Sequence, residues 1–123
     1  MPKKRILIVE DERDVAMLMQ QWLEGLDYEI QIAVGGADAL KRIYQEKFDL
    51  VLMDYGMRDI KGDRVCLIVK EDDKMASLPV VIVTGHIEVD EKVFREYGAT
   101  DVLYKPVERN DLIQKVEGYL KHS

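Results

Sequence analysis

Four places in the chain carry side chains able to do chemistry, and each follows a short apolar run. Glu10-Asp11 close Ile6-Leu-Ile-Val9, Asp54 ends Asp49-Leu-Val-Leu-Met-Asp54, Thr84 closes Val80-Val-Ile-Val83, and Lys105-Pro106 close Val102-Leu-Tyr104. Brought together, these groups suit a site that takes phosphate onto an aspartate with a divalent metal. Carboxylates about 4 Å apart repel by roughly 4 kcal/mol per pair at an effective dielectric near 20, and a phosphate adds more negative charge. Such a site needs a cation. Oxygen ligands on a rigid sheet edge suit Mg²⁺ or Mn²⁺, with waters and a backbone carbonyl from the loop after Asp54 completing the shell. No Cys/His cluster favours zinc. With the ion in place, Lys105 and Thr84 would each meet an oxygen of the incoming phosphoryl group while Asp54 attacks in line. Taken singly, Asp54 reads as a turn or cap residue, Glu10-Asp11 as helix caps, Thr84 as a satisfied turn hydroxyl and Lys105 as a solvated lysine. Their joint occurrence favours the chemical reading. His86 and His122 lack partners at metal or triad spacing and read as ordinary polar residues.

Short apolar runs alternate with helical periods five times, the pattern of βα units around a parallel sheet. Residues 5–9 predict the first strand; Val15, Leu18, Met19, Trp22, Leu23 and Leu26 then recur at helical spacing, with Asp11 or Asp14 able to cap and Gly25 near the end. Strands are predicted over 28–33 and 49–53, and Gly35-Gly36 turn into a helix carrying Ala39, Leu40 and Ile43. Gly62 opens a third helix to about residue 71, Pro79 begins the fourth strand, and a fourth helix over 88–97 ends at Gly98. Residues 100–104 give the fifth strand, and Leu112, Ile113, Val116, Tyr119 and Leu120 mark the last helix. The expected fold is α/β, a flavodoxin-like (βα)5 doubly wound parallel sheet in strand order 2-1-3-4-5. Right-handed crossovers put helices 2, 3 and 4 on one face and helices 1 and 5 on the other. Strands 1 and 3 then meet at the switch point, where Glu10, Asp11 and Asp54 converge.

At 123 residues, 47% hydrophobic and 34% charged, the chain predicts a single domain over 1–123 with no output domain. A net charge of −6 and no basic stripe argue against direct nucleic-acid binding. Cys66, the sole cysteine, lies in Val65-Cys-Leu-Ile-Val69 and reads as a buried reduced thiol, which fits a cytoplasmic location. The apolar run after Met1-Pro-Lys-Lys-Arg5 is too short for a signal sequence or a membrane span.

Taken in order, Ile6-Leu-Ile-Val-Glu-Asp-Glu12, Asp49-Leu-Val-Leu-Met-Asp54, Gly62, Val83-Thr84-Gly85 and Gly98-Ala-Thr-Asp-Val-Leu-Tyr-Lys-Pro106 resemble a response-regulator receiver domain of two-component signalling, over essentially the whole chain. The resemblance implies Asp54 as phosphoacceptor, Glu10 and Asp11 holding Mg²⁺ with Asp54 and the Gly56 carbonyl, Thr84 as switch hydroxyl and Lys105 on the phosphoryl group. It implies a phosphohistidine donor on a sensor histidine kinase or a histidine phosphotransfer domain. It further implies a protein with no enzyme activity beyond its own aspartyl phosphorylation and dephosphorylation. The family's usual partner surface, helix 4 with strand 5 and helix 5, here offers Phe94, Tyr97 and Tyr104.

Four positions depart from the family pattern. Glu10 is one methylene longer than the usual aspartate, and Arg58 replaces a proline, which should free the loop after Asp54. Gly56 cannot screen an acyl phosphate, so hydrolysis would fall to neighbours such as His86. Val102 stands where an aromatic switch is common; Tyr104, of the same strand parity, is the candidate substitute. With no output segment in the sequence, output is expected through a partner. A free-standing regulator, a phosphate relay, a receiver excised from a larger hybrid kinase or regulator, and a phosphorylation-independent adaptor all stay open. A phosphatase acting on free substrates would want a second acid at Gly56, and flavin binding would want a phosphate-cradling loop after the first strand.

Overall fold

The computed structural model describes residues 2–121, so His122 lies outside the described residues. They form β1 (Arg5–Val9), α1 (Arg13–Glu24), β2 (Glu29–Ala33), α2 (Gly36–Gln45), β3 (Leu50–Asp54), α3 (Gly62–Glu71), β4 (Val80–Thr84), α4 (Glu91–Glu96), β5 (Asp101–Tyr104) and α5 (Arg109–Leu120). The strands make one parallel sheet in the order β2-β1-β3-β4-β5, as the alternation of apolar runs predicts. β3 and β4 are buried along their whole length, whereas the edge strands β2 and β5 keep partly exposed positions. An interior parallel strand is covered on both faces, which is why its sequence runs apolar without alternating.

Two cores flank the sheet. Ala39 and Ile43 of α2, Val65, Cys66 and Val69 of α3 and Phe94 of α4 pack on one face with Leu7, Val51, Met53 and Ile82. Ala16, Met19 and Leu23 of α1 join Leu112, Val116 and Leu120 of α5 on the other, against Ile6, Ile8, Leu52 and Val81. This is the division that right-handed crossovers require. Cys66 is fully buried, and burial pushes its thiol up to about 12.

Several boundaries differ from the sequence prediction. β3 starts at Leu50, because the Asp49 carboxylate accepts the Arg5 backbone N–H at 2.8 Å, and it extends to Asp54, which pairs with Val83. β2, β4 and β5 each begin one residue later than expected. Helix α4 starts at Glu91 because the Asp90 side chain caps it at Lys92 N, while residues 85–89 close turns of their own. Neither Asp11 nor Asp14 caps α1; the N-cap is Glu12, without a side-chain bond, and the Asp11 carboxylate is turned to the β3–α3 loop.

At the end of the sheet away from Asp54, Arg5 gathers the starts of three strands. Its guanidinium pairs with Glu29 and with Glu46 at 2.7 Å, donates to Lys47 O at 2.8 Å, and lies 4.7 Å from the centre of the Phe48 ring. The bonds to Glu46 and Glu29 raise its pKa.

Candidate functional site: the acidic cleft at the carboxyl edge of the sheet

Register decides which strand ends meet. β1 pairs with β3 through Val9 and Met53, so Glu10 follows directly beside Asp54. The carboxylate oxygens of Glu10, Asp11 and Asp54 come within 4.8 Å of one another. Glu10 is 2% exposed and Asp54 7%, so both acids sit largely out of solvent. From the far side of β4, Lys105 reaches over and places Nζ 3.0 Å from Asp54 Oδ1 and 3.4 Å from Glu10 Oε2. Its backbone N–H donates to Thr84 O at 2.7 Å, which fixes where the side chain starts. Burial alone would lower the Lys105 pKa, but the bond to Asp54 and the charges of Asp54 and Glu10 outweigh it and hold the ammonium charged. For Glu10, burial and then the Asp54 charge raise the carboxyl pKa, against the opposing pull of the Glu12 N–H and Lys105. One ammonium between two of three carboxylates leaves the cluster short of positive charge. That deficit and the all-oxygen donor set fit a hard divalent cation, for which Glu10, Asp11 and Asp54 are the carboxylates brought together.

Thr84, 1% exposed, stands at the end of β4 beside the cleft. Its Oγ1 accepts the His86 N–H at 3.0 Å. The His86 ring meets Tyr55 edge-on at 5.2 Å, and its Nδ1 lies 2.9 Å from Glu88 Oε1 in an exposed pair. Tyr55 in turn meets Phe94 edge-on at 5.2 Å. A Cβ added at Gly56 would lie 3.9 Å from Asp54 Oδ2, so any side chain at this position would border the carboxylate.

The structure divides the expected partner surface. Phe94 is fully buried and corrects the expectation that it is exposed: a six-residue α4 turns this ring inward and leaves Val93 and Tyr97 outside, at 40% and 38% exposure. Val102 is also buried, in the same core as Phe94, so it presents no surface. Tyr104 is half-buried, and its hydroxyl donates to Val89 O at 3.2 Å, at the far end of the β4–α4 loop.

The β3–α3 loop makes specific contacts at and after the position where proline is usual. The Arg58 backbone N–H, a donor that proline would lack, is 3.2 Å from Asp11 Oδ2. One residue on, the Asp59 carboxylate accepts from Gly36 N and Ala37 N, both at 3.0 Å, and so caps α2 from another segment. The close approach excludes a side chain at the first residue of α2: a Cβ at Gly36 would come within 2.8 Å of Ile60 Cβ. Asp59 was missed from sequence because a cap 22 and 23 residues from the N–H groups it accepts leaves no local signal. Asp59→Ala is expected to destabilise the protein by about 1 kcal/mol, the scale of a lost helix cap. The Ala37 and Gly36 N–H groups lower the Asp59 pKa. Its contribution is therefore complete above the unfolded value near ~3.9 and lost as pH falls through the lower folded value. Urea unfolding of both proteins should show a gap at neutral pH that closes in strong acid.

A doubly wound α/β sheet with its acidic cleft at the switch point is the class that fold and site define together. Within it, a family model for the response regulator receiver domain matches residues 6–117, and the chain belongs to that family. Receiver domains are the phosphoryl-accepting signalling domains of two-component systems, served by histidine kinases. The chain is 32% identical to the alkaline phosphatase synthesis transcriptional regulatory protein PhoP of Bacillus subtilis, over 98% of this chain and 50% of that protein. It spans about half the length of the curated relatives it matches. Among solved structures, a CheY-like receiver domain protein from Methanospirillum hungatei is 30% identical with a TM-score of 0.90, covering 98% of this chain and 96% of that one. The response regulator TrrA of Thermotoga maritima, solved in complex with Mg²⁺-BeF, is 28% identical with a TM-score of 0.86, covering 95% of this chain and 99% of that one. No helix among the described residues is long and apolar enough to cross a membrane.

Proposed function

We propose that Asp54 accepts a phosphoryl group from a phosphohistidine of a sensor kinase or phosphotransfer domain, and that the modification changes binding of a protein target. The observation that carries this reading is Lys105 Nζ lodged between Asp54 and Glu10 at the ends of neighbouring strands, where its charge would face the phosphoryl oxygens. Mg²⁺, or Mn²⁺, held by Glu10, Asp11, Asp54 and the Gly56 carbonyl, would neutralise the charge that develops on the transferred group. The ion bound with BeF in the Thermotoga maritima relative supports that choice. An oxygen of Asp54 forms the new bond to phosphorus as the bond to the donor imidazole breaks, the electron pair staying on the ring nitrogen. Lys105 steadies the transferred oxygens, and Thr84 turns its hydroxyl from the His86 N–H to donate to the phosphoryl group.

The β4–α4 loop, bonded at His86 to Thr84 and at Val89 to Tyr104, carries that change outward. Tyr104 is thus the candidate replacement for the aromatic missing at Val102, and the target surface is α4, β5 and α5 with Tyr97 and Val93 exposed. The test offers the protein a small phosphodonor with and without Mg²⁺. A Mg²⁺-dependent mass gain of one phosphoryl group, acid-stable and base-labile, is expected. No gain under any divalent ion would leave the phosphorylation-independent adaptor as the better reading.

A further inference from the structure

The backbone N–H and the guanidinium of residue 58 both face one oxygen of the acidic cleft, the first as a hydrogen-bond donor and the second as an ion-pair partner. The backbone N–H of Arg58 lies 3.2 Å from Asp11 Oδ2, and its side-chain Nε lies 3.7 Å from the same atom. The Asp11 side chain is 18% exposed, whereas that of Arg58 is 89% exposed, so the cation comes from the solvent side onto a carboxylate set in the cleft wall. Lys105 already holds Glu10 and Asp54. With Arg58 on Asp11, each of the three clustered carboxylates has a cationic partner of the chain's own.

We infer that Arg58 is a built-in competitor of the divalent cation for Asp11, setting how much free ion the site needs before it can accept a phosphoryl group. The inference rests on the phosphoacceptor reading only for that last consequence; the competition itself concerns the metal alone. A guanidinium and a divalent ion repel each other, so both cannot crowd Asp11 Oδ2. The fixed N–H keeps the carboxylate aimed, and the mobile charge occupies it until the ion arrives. Because the arginine is open to water, its departure is easy and the competition is mild. Exposed ion pairs are worth only a fraction of a hydrogen-bonded buried pair, so their removal should change an affinity by a small factor.

The decisive measurement is calorimetric titration of the phosphoryl-free protein with Mg²⁺ alone. Arg58→Ala is expected to bind Mg²⁺ roughly two- to fivefold more tightly than the wild type, and Arg58→Lys to stay near the wild type. Lys61→Ala removes one positive charge from the same loop; Lys61 lies over the Tyr55 ring, 5.9 Å from its centre. It should move the affinity less. A second readout follows from linkage: in chelator Arg58→Ala should melt below the wild type, and in saturating Mg²⁺ the two should converge. Unchanged Mg²⁺ affinity in Arg58→Ala would overturn the inference, as would a tightening in Lys61→Ala equal to that in Arg58→Ala, which would show only the general field. Tighter Mg²⁺ binding without any Asp54 adduct would instead sink the phosphoacceptor reading and leave the competition standing.

Discussion

Asp54→Asn, offered a small phosphodonor and Mg²⁺, is expected to gain no phosphoryl group, while Lys105→Ala is expected to gain it roughly 10²–10³-fold more slowly, the scale of losing one preorganised donor. The two variants fail for different reasons. An amide at 54 keeps the shape and an oxygen facing Lys105, so the protein should stay folded, but it lacks the carboxylate that attacks phosphorus. Alanine at 105 leaves the nucleophile and removes the one ammonium that bridges Glu10 and Asp54. Transfer onto such a cleft then proceeds against two buried, less-compensated negative charges, and added Mg²⁺ should recover little of the rate. Rapid-mixing kinetics with intact-mass detection measures both. An adduct on Asp54→Asn would relocate the acceptor to Asp11 or Glu10, and an undiminished rate in Lys105→Ala would remove Lys105 from the phosphoryl group.

Gly62→Ala is expected to destabilise the fold by about 3 kcal/mol or more, the upper range for overpacking a rigid site. In an open helix the same change stabilises by about 0.5–1 kcal/mol. The sign is reversed here by contact: a Cβ at 62 would stand 2.4 Å from Asp54 O and 2.9 Å from Tyr55 Cα. Those are backbone atoms of the strand end that carries the acceptor, and Gly62 N also donates to Tyr55 O at 2.9 Å, so neither side can yield alone. Chemical denaturation gives the energy. Mg²⁺ titration of the surviving folded fraction should show weaker binding, because relief of the overlap displaces Asp54. A variant as stable as the wild type would show that α3 can slide away from β3.

Much of the molecule was readable from the residues, for physical reasons that also mark where reading stopped. The interior strands are unbroken apolar runs, so their number and carboxyl ends followed; the order came from the doubly wound arrangement that five βα units fit, and with it the meeting of Glu10, Asp11 and Asp54. Edge placement of β2 and β5 came with that order, and the structure keeps partly exposed positions on both. Contacts set by one residue reaching across sequence left no periodic trace. Asp59 on α2 and Arg58 on Asp11 are of this kind. Phe94 misled because it was placed outside by resemblance to the family's partner surface, whereas its ring fills the core. Gly62 was visible as a helix opener, but its reason, the backbone of Asp54 against it, needed coordinates.

The guanidinium of Arg5, held by Glu29 and Glu46 over Phe48, sits at the opposite end of the strands from Asp54. This fastening of the starts of β1, β2 and β3 is therefore separate from the chemistry at their other ends. Changes at Arg5 would lower the amount of folded protein in a cell without altering what each surviving molecule does, and a signalling defect traced there should be corrected by raising expression. Defects that remove Asp54 or Lys105 themselves should resist that remedy. The distinction gives a way to sort variants of this chain by dosage before any assay of phosphorylation is made.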